Sequence, residues 1–413
     1  MSVLVHPSQS QKGIDWHQFL GRPALPAPTR DALDAIRNRS IFITGAGGSI
    51  GSLLSLRLAR IRPRRLTLLD SSEQALYRLR ACLAAEDLVD QATLRLGSVT
   101  DIRLLQDVFQ STSPDTIFHA AAHKHLPLLE EHPLAAIANN TLATNTLLRV
   151  GAEHRIRRMI LLSTDKAVAP VSVLGLTKHV AEMDTIGHGG IVLRLVNVLG
   201  THGSVVPAFL NQIAADQPVT ITHPAAKRYF LTPEEAVDML LTASIDAPLG
   251  ATLVPAVFQS QSIVELARFL LAHCSPASSL GVFHASESAR ESTGNPRKES
   301  EARGMGPGHL GMGETLSSAL RYIGLSAGEK QDERLWSADE VLLAESFHDS
   351  LRVIARRRTI EKTISLDAML ETLRIAVTAR DLSKAMTHMQ SLVPDYVPSS
   401  TVLQQLRMHP GAN

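Results

Sequence analysis

Residues 40–51 read SIFITGAGGSIG, and no other stretch of the chain limits the fold so tightly. Five strand-like residues run straight into spaced glycines, and an amphipathic helix pattern, Ile50–Ile61, follows at once. Gly45 permits a tight turn, Gly48 lets backbone approach a pyrophosphate, and Gly51 allows the helix to lie close to the strand. The helix start then offers free N–H groups and a positive dipole end to phosphate. Gly45, Gly47, Gly48, Ser49, Ile50 and Gly51 are therefore the candidate cofactor loop.

The rhythm that begins there continues. Strand-like runs fall at Ser40–Thr44, Leu66–Leu69, Thr93–Leu96, Thr116–His119, Met159–Ser163 and Ile191–Leu195. They are mostly apolar throughout, as expected for strands covered on both faces. Helical periodicity fills the gaps at Ser72–Ala84, Asp101–Gln110 and Ala135–His154. Repeated βα units predict an α/β fold, a doubly wound parallel Rossmann sheet. A short helix, Arg30–Arg39, precedes it. Beyond Asn197 the pattern loosens into helices at Val205–Asp216, Pro233–Ser244 and Ser262–His273, with strands at Val219–Ile221 and Ala251–Phe258. Residues 275–316 are rich in Ser, Gly, Glu and Arg and read as a mobile insertion. Helical patterns return at Leu366–Ala379 and Leu382–Leu392. The expected division is an extension over 1–39, a dinucleotide-binding domain over 40–200, a smaller interleaved substrate portion over 201–336 and a helical tail over 337–413.

Composition narrows the class. The 413 residues are 44% hydrophobic, enough for a sizeable core, and the net charge is only +1. Neither nucleic acid nor an anionic membrane is indicated by overall charge. No apolar run reaches the ~18 residues of a membrane span. Met1–Lys12 is polar and is no secretory signal. Cys82 and Cys274 alone make no disulfide framework and no cysteine-based zinc site, which fits a cytoplasmic setting.

Asp70 closes the second strand, 19 residues after Gly51, where an acid holds the adenosine ribose hydroxyls. The plain alternative is an N-cap for the next helix. An acid there repels a 2′-phosphate and favours NAD, whereas Arg62, Arg64 and Arg65 just upstream keep NADP open. Two further strand ends carry polar sequence. One is His119-Ala120-Ala121-Ala122-His123-Lys124-His125, whose small alanines let backbone lie against a cofactor. His123 and His125 lack a carboxylate or cysteine partner at a metal-binding spacing, so no metal is expected. The other is Ser163-Thr164-Asp165-Lys166, in which adjacent Asp and Lys can form an acid/base pair. A helix cap plus a surface lysine is the bland reading. Lys178 falls on the following helix, where it can reach a nicotinamide ribose.

Together these stretches resemble the extended short-chain dehydrogenase/reductases, and within them the polysaccharide-biosynthesis group of nucleotide-sugar 4,6-dehydratases. The matching segments are TGAGGSIGS, LLDSSEQALY, FHAAAHKHLPLLEEHP, STDKAVAP, GLTK, RLVNVLGTHGSVVP, THPAAKRYFLT, GEK and LVPDYVPS. The long members carry an N-terminal membrane region absent from this sequence, so the chain looks like a soluble form. The resemblance implies a UDP-N-acetylglucosamine-like substrate and NAD or NADP. It implies oxidation at sugar carbon 4, loss of water across carbons 5 and 6, and hydride return to carbon 6. Asp165 maps to the acid, Lys166 to the base, Thr164 to a sugar-binding hydroxyl and Lys178 to the lysine of a YxxxK element. Ala120, Ala121, Lys124 and Ser163 map to cofactor contacts, and Lys124, His125, Asn197, Val205 and Arg228 to substrate contacts. A homo-oligomer is expected.

Departures from the pattern matter. Leu174 stands where the YxxxK tyrosine belongs, and leucine takes no proton. His202 and Ser326 stand at usual arginine positions, Ala169 at a usual asparagine and Ser98 at a usual aspartate. The closer rival is an epimerase, which needs the hydride step without elimination; the adjacent Asp165 and Lys166 favour dehydration. Leu174, His202 and Ser326 motivate a third reading as a catalytically degenerate dinucleotide-binding paralogue. Gly324-Leu325-Ser326-Ala327-Gly328 also matches a GxSxG nucleophile elbow, but no ordered βα series precedes it.

Overall fold

The computed structural model describes residues 13–274, 319–344, 346–356 and 366–408. The expected insertion over 275–316 and the polar Met1–Lys12 segment lie outside the described residues.

Six parallel strands form the centre: β1 (Ser40–Thr44), β2 (Arg65–Asp70), β3 (Thr93–Leu96), β4 (Thr116–His119), β5 (Arg158–Thr164) and β6 (Ile191–Leu195). Their spatial order is β6-β5-β4-β1-β2-β3. Strand Thr252–Pro255 adds in parallel beside β6, and Leu351–Arg356 and then Glu340–Leu342 extend the sheet in antiparallel fashion to nine strands. Thus the large sheet draws strands from beyond residue 200. The segment after residue 337 is likewise not purely helical, because these two strands precede its helices.

Period-2 alternation explains the layers. On β1, Ile41 and Ile43 join the core under helices Ser49–Ile61 and Pro233–Asp246. Phe42 points the other way, into the core of helices Ile102–Thr112 and Ala143–Glu153, edge-on to Phe109 at 5.3 Å between centroids. Strand order reverses between β1 and β4, which opens a crevice at their C-terminal ends. A smaller lobe has its own core of Leu199, Val206, Phe209, Phe230 and Leu266. It is stitched by three two-stranded pairs, including Lys227–Arg228 with Gln261–Ser262.

The pattern Ala135–His154 predicts one continuous helix. The structure inserts a π-helical turn, Ile137–Leu142, between Pro133–Ala136 and Ala143–Glu153. Asn140 within this turn clamps both polar groups of the His123 backbone, N–H to Oδ1 at 2.8 Å and C=O from Nδ2 at 3.0 Å. Local widening of a helix at a functional loop is a known use of such turns.

The tail helices Leu366–Thr378, Leu382–Leu392 and Ser400–Met408 pack on helices Leu126–Glu131 and Val173–Gly187 through a core that includes Leu370, Leu373, Met386 and Leu174. Buried Glu130 ties them down, accepting from Ser399 Oγ at 2.6 Å while its carbonyl accepts from Gln405. Among the described residues no helix is long and apolar enough to cross a membrane.

Arg194 in β6 is 1% exposed. Its guanidinium is bidentate to Glu182 (Nη2–Oε2 2.7 Å, Nε–Oε1 3.0 Å) and to Glu340 (2.8 Å twice). Burial opposes charge on Glu340, but Arg194 overrides it and holds that carboxyl down at about 2. Removing one partner of such a buried set strands the others. Arg194→Ala is expected to cost about 3–5 kcal/mol. Urea unfolding of the variant against wild type measures it; a change under about 1 kcal/mol would show that the network adds nothing beyond a surface pair.

Candidate functional site

The crevice at the β1/β4 switch has a volume of about 310 Å³ and is lined by Gly45, Gly47, Gly48, Ser49, Asp70 and Ala120–Lys124. Gly45 takes φ +68°, and a Cβ there would lie 2.6 Å from the Ala121 nitrogen. A Cβ on Gly51 would meet the Gly45 carbonyl oxygen at 2.0 Å. Sequence and packing therefore demand glycine at both ends of the turn. Helix Ser49–Ile61 has Gly48 as its N-cap and no side-chain cap, so its first N–H groups point into the crevice unsatisfied by the helix itself. This donor set fits a pyrophosphate.

Asp70 ends β2. Its Oδ2 accepts from Gly47 N–H at 2.9 Å and its Oδ1 from Ser72 N–H at 2.9 Å. Ser72, not Asp70, caps the next helix by accepting from Ala75 N–H. Asp70 thus fastens the glycine loop to β2 and retains lone pairs for a ribose diol. Arg62, Arg64 and Arg65 require a correction. Arg65 begins β2 and Asp70 ends it, a separation of ~17 Å at ~3.3 Å per residue. These arginines stand at the wrong end of the strand to meet an adenosine 2′-phosphate.

Beneath the loop, buried His119 bridges Thr44 Oγ1 (Nδ1, 2.7 Å) and Thr144 Oγ1 (Nε2, 2.9 Å). Thr144 spends its own proton on the Asn140 carbonyl at 2.7 Å. Nε2–H must therefore donate to Thr144, and Nδ1 accepts from Thr44. Burial, helped by the Lys178 charge, holds the ring neutral, with its pKa lowered to about 3.

The adjacent Asp165 and Lys166 sit at the end of β5. Thr164 caps a 3-10 turn, Asp165–Ala167, and its hydroxyl donates to Asp165 Oδ1 at 2.9 Å. Lys166 Nζ lies 3.0 Å from Asp165 Oδ1 and 3.7 Å from Glu333 Oε1. Asp165 is fully buried, and its Oδ2 has no hydrogen-bond partner among the described residues. Burial disfavours the Lys166 cation, but the Asp165 and Glu333 charges outweigh it and raise the pKa above the usual lysine value. Lys178 is buried on helix Val173–Gly187; desolvation lowers it to about 8, against the opposing charge of Glu182.

Other expected site residues are accounted for individually. The Ser163 hydroxyl turns away from the crevice and donates to Glu182 at 2.5 Å. Ser49 Oγ accepts from the His202 N–H at 3.0 Å and bonds its Nδ1 at 3.1 Å. Ile50, the second residue of helix Ser49–Ile61, is half-buried. Burial pushes the Lys124 and His123 pKa values down, and it lowers His125 together with the Lys124 charge. The His125 ring lies against Gly203, where a Cβ would come within 2.3 Å of Cε1. Asn197 Nδ2 donates weakly to the Tyr229 carbonyl at 3.4 Å. Val205 opens helix Val205–Ala214. Arg228 is spent on the chain itself, donating to Glu329 Oε1 and to the carbonyls of Lys227, Lys330 and Gln331. It thereby shapes the 329–333 segment, and Lys330 in turn reaches the Val168 carbonyl at 2.7 Å. Ala169 adopts φ +42°, a left-handed conformation better suited to asparagine, the residue usual there. Leu174 is buried in the core shared with the tail. Ser326 lies in a turn stabilised by Glu329 and is not followed by a helix, so no nucleophile elbow exists there.

Glu333, Lys330, Glu182 and His119 were not singled out from sequence as site residues. Glu333 is 168 residues from Asp165, and no local pattern joins them. Only the short GEK stretch marked the neighbourhood.

Residues 41–296 match the family described as "Polysaccharide biosynthesis protein". The chain belongs to this family. It is 35% identical over 269 residues to the capsular polysaccharide biosynthesis protein CapD of Staphylococcus aureus, covering 63% of this chain and 45% of CapD. It therefore spans less than half the length of that relative. It is 26% identical over 333 residues to a UDP-glucose 4-epimerase of Rickettsia rickettsii, covering 76% of this chain and 83% of the epimerase. Among solved structures, Pen from Bacillus thuringiensis superposes with a TM-score of 0.62 at 19% identity, over 82% of this chain and 99% of Pen. DesIV, a dTDP-glucose 4,6-dehydratase from Streptomyces venezuelae with NAD and TYD bound, gives 0.52 at 19% identity, over 58% of this chain and 82% of DesIV. These two establish kinship of fold.

The close approach at Gly45 generates a prediction. Gly45→Ala combines an unfavourable φ with a backbone clash, so dinucleotide affinity is expected to fall by ~10-fold or more. Fluorescence titration with NADH measures it, and an unchanged affinity would place the dinucleotide elsewhere.

Proposed function

We propose that the chain is a nucleotide-sugar 4,6-dehydratase of polysaccharide biosynthesis, acting on a UDP-N-acetylglucosamine-like substrate. The observation that carries this reading is the Thr164–Asp165–Lys166–Glu333 array at the end of β5, with Asp165 and Glu333 buried and Thr164 and Lys166 half-buried. Hydride transfer alone requires one base, whereas eliminating water across carbons 5 and 6 requires an acid and a base together. Bound NAD(P)+ would supply a reversible hydride acceptor. The Asp70 carboxylate, with the arginines remote, favours NAD. Within this reading the enzyme is cytoplasmic and a homo-oligomer, with exposed Ile375 and Met408 on the tail offering apolar surface.

The proton account closes without a tyrosine at position 174. Ionised Asp165 takes the carbon 4 hydroxyl proton through the Thr164 hydroxyl, which already donates to it. Neutral Lys166 takes the carbon 5 proton. Asp165, now a carboxylic acid, protonates the departing carbon 6 oxygen, which leaves as water. Lys166 returns its proton to carbon 5 after hydride reaches carbon 6, and both groups regain their starting states.

The same account sets a pH dependence. Asp165 and Glu333 favour the lysine cation, while catalysis needs the free amine. The rate is therefore expected to rise with pH towards the alkaline range. Glu333→Gln removes one anion beside the ammonium and should move that limb to lower pH; an upward movement would contradict the assigned base. Asp165→Asn should lower kcat by roughly 10²–10⁴-fold.

The deciding experiment is proton NMR with UDP-N-acetylglucosamine and catalytic NAD+ in deuterated water. A carbon 6 methyl signal with deuterium at carbon 5 is expected. Inversion without that signal would favour the epimerase, the reading that the Rickettsia relative suggests. No change with UDP- and dTDP-sugars would favour the degenerate paralogue.

A further inference from the structure

The arginines that cannot serve the cofactor form a site of their own. In a parallel sheet all strands start along one edge, and β5, β4, β1 and β2 are neighbours in that order. Arg157 and Arg158 stand at the start of β5, Arg39 just before β1, and Arg64 and Arg65 at the start of β2. Three connections far apart in sequence thus deliver arginine to one edge, opposite the catalytic crevice. The register confirms the alignment, with Ser40 beside Arg65 and Thr116 beside Arg158.

A cleft of about 430 Å³ opens between them, lined by Arg39, Arg64, Arg157, Asp115, Ala35 and Asn38. Its single acid is already committed. Asp115 Oδ2 accepts from Ser40 N–H at 3.0 Å and lies 3.3 Å from Arg64 Nη2, and Oδ1 accepts from Thr116 Oγ1 at 3.0 Å. Among the described residues, the guanidinium groups of Arg39 and Arg157 make neither an ion pair nor a hydrogen bond. Arg158 beside them has its pKa lowered, by burial first and then by the charge of Arg39, with Asp246 opposing both. Three arginines are therefore gathered around the cleft against one lining acid, Asp115, which pairs with Arg64 alone, in a chain whose net charge is only +1.

We infer that this cleft binds a phosphate-bearing anion. Every cation lining it is arginine, and guanidinium forks match the tetrahedral oxygens of phosphate two at a time. Several such forks around an open cleft suit a dianion or a run of phosphates better than a single carboxylate. The phosphate has two sources, a soluble phosphate ester and the headgroups of a phospholipid surface. Because the cleft sits at the far edge of the sheet, occupation leaves the crevice open to its substrate.

The test uses the full chain, inorganic triphosphate and vesicles of phosphatidylcholine with phosphatidylglycerol. Calorimetry with triphosphate and co-sedimentation with vesicles are run on wild type and on the triple variants R39A/R64A/R157A and R39K/R64K/R157K. None of these residues belongs to the catalytic array, so turnover and melting temperature serve as controls for folding. Saturable binding that weakens roughly tenfold or more in the alanine variant, and less in the lysine variant, is expected. Triphosphate binding without vesicle binding identifies a soluble ester as the source; vesicle binding without triphosphate binding identifies headgroups. Absence of both, or an affinity that the alanine variant retains, overturns the inference, the latter by locating the anion at the glycine loop instead.

Discussion

A single buried cation organises the half of the molecule that holds Asp165 and Lys166. Arg194 lies inside the sheet between Glu182 and Glu340, and so joins β6, helix Val173–Gly187 and the antiparallel edge strand. Glu182 also receives the Ser163 hydroxyl from β5. The chain from Ser163 runs directly to Thr164, Asp165 and Lys166. Fixing one hydroxyl two residues before Asp165 fixes where that carboxylate emerges. Two carboxylates around one guanidinium leave a formal negative charge in the interior. That charge helps explain why Lys178, one helical turn before Glu182, remains close to its cationic form despite complete burial.

Much of the fold is legible in the sequence because strand and helix periods differ sharply. Strands Ser40–Thr44, Thr93–Leu96, Thr116–His119 and Ile191–Leu195 emerge with the bounds their apolar runs predict. The π-helical turn is not legible, because Asn140 departs from regular pitch to hold a loop 17 residues away. The cofactor loop is legible because its constraint is local: a backbone that must pass within contact distance of another tolerates only glycine. The acid/base pair is half legible. Asp165 and Lys166 are adjacent, but Glu333 and Lys330 arrive through a separate segment that Arg228 positions. Arg62, Arg64 and Arg65 mislead for a geometric reason. Nearness to Asp70 in sequence becomes distance in space once the intervening residues extend as a strand.

The position of Leu174 becomes intelligible from packing. Its side chain lies in a core to which the tail contributes Leu370, Leu373, Met386 and Tyr396. A phenol buried there would need a polar partner, and the Tyr396 hydroxyl already has none among the described residues. The tail therefore belongs to the architecture of the half that holds Asp165 and Lys166. Through Glu130 it also bears on the segment that carries Lys124 and His125 towards the crevice.

Asp165 Oδ2 carries a further consequence. A buried carboxylate oxygen without a donor is a poor resident of a protein interior, and it improves only when something brings a hydrogen to it. A sugar hydroxyl at the right position does so; a deoxy analogue leaves the oxygen as it was. Such a site rejects the analogue far more strongly than an apolar pocket rejects an extra methylene. Under the proposed function, fidelity for an intact sugar would thus be written into a defect of the resting state, and a product that has lost that hydroxyl would no longer repair it.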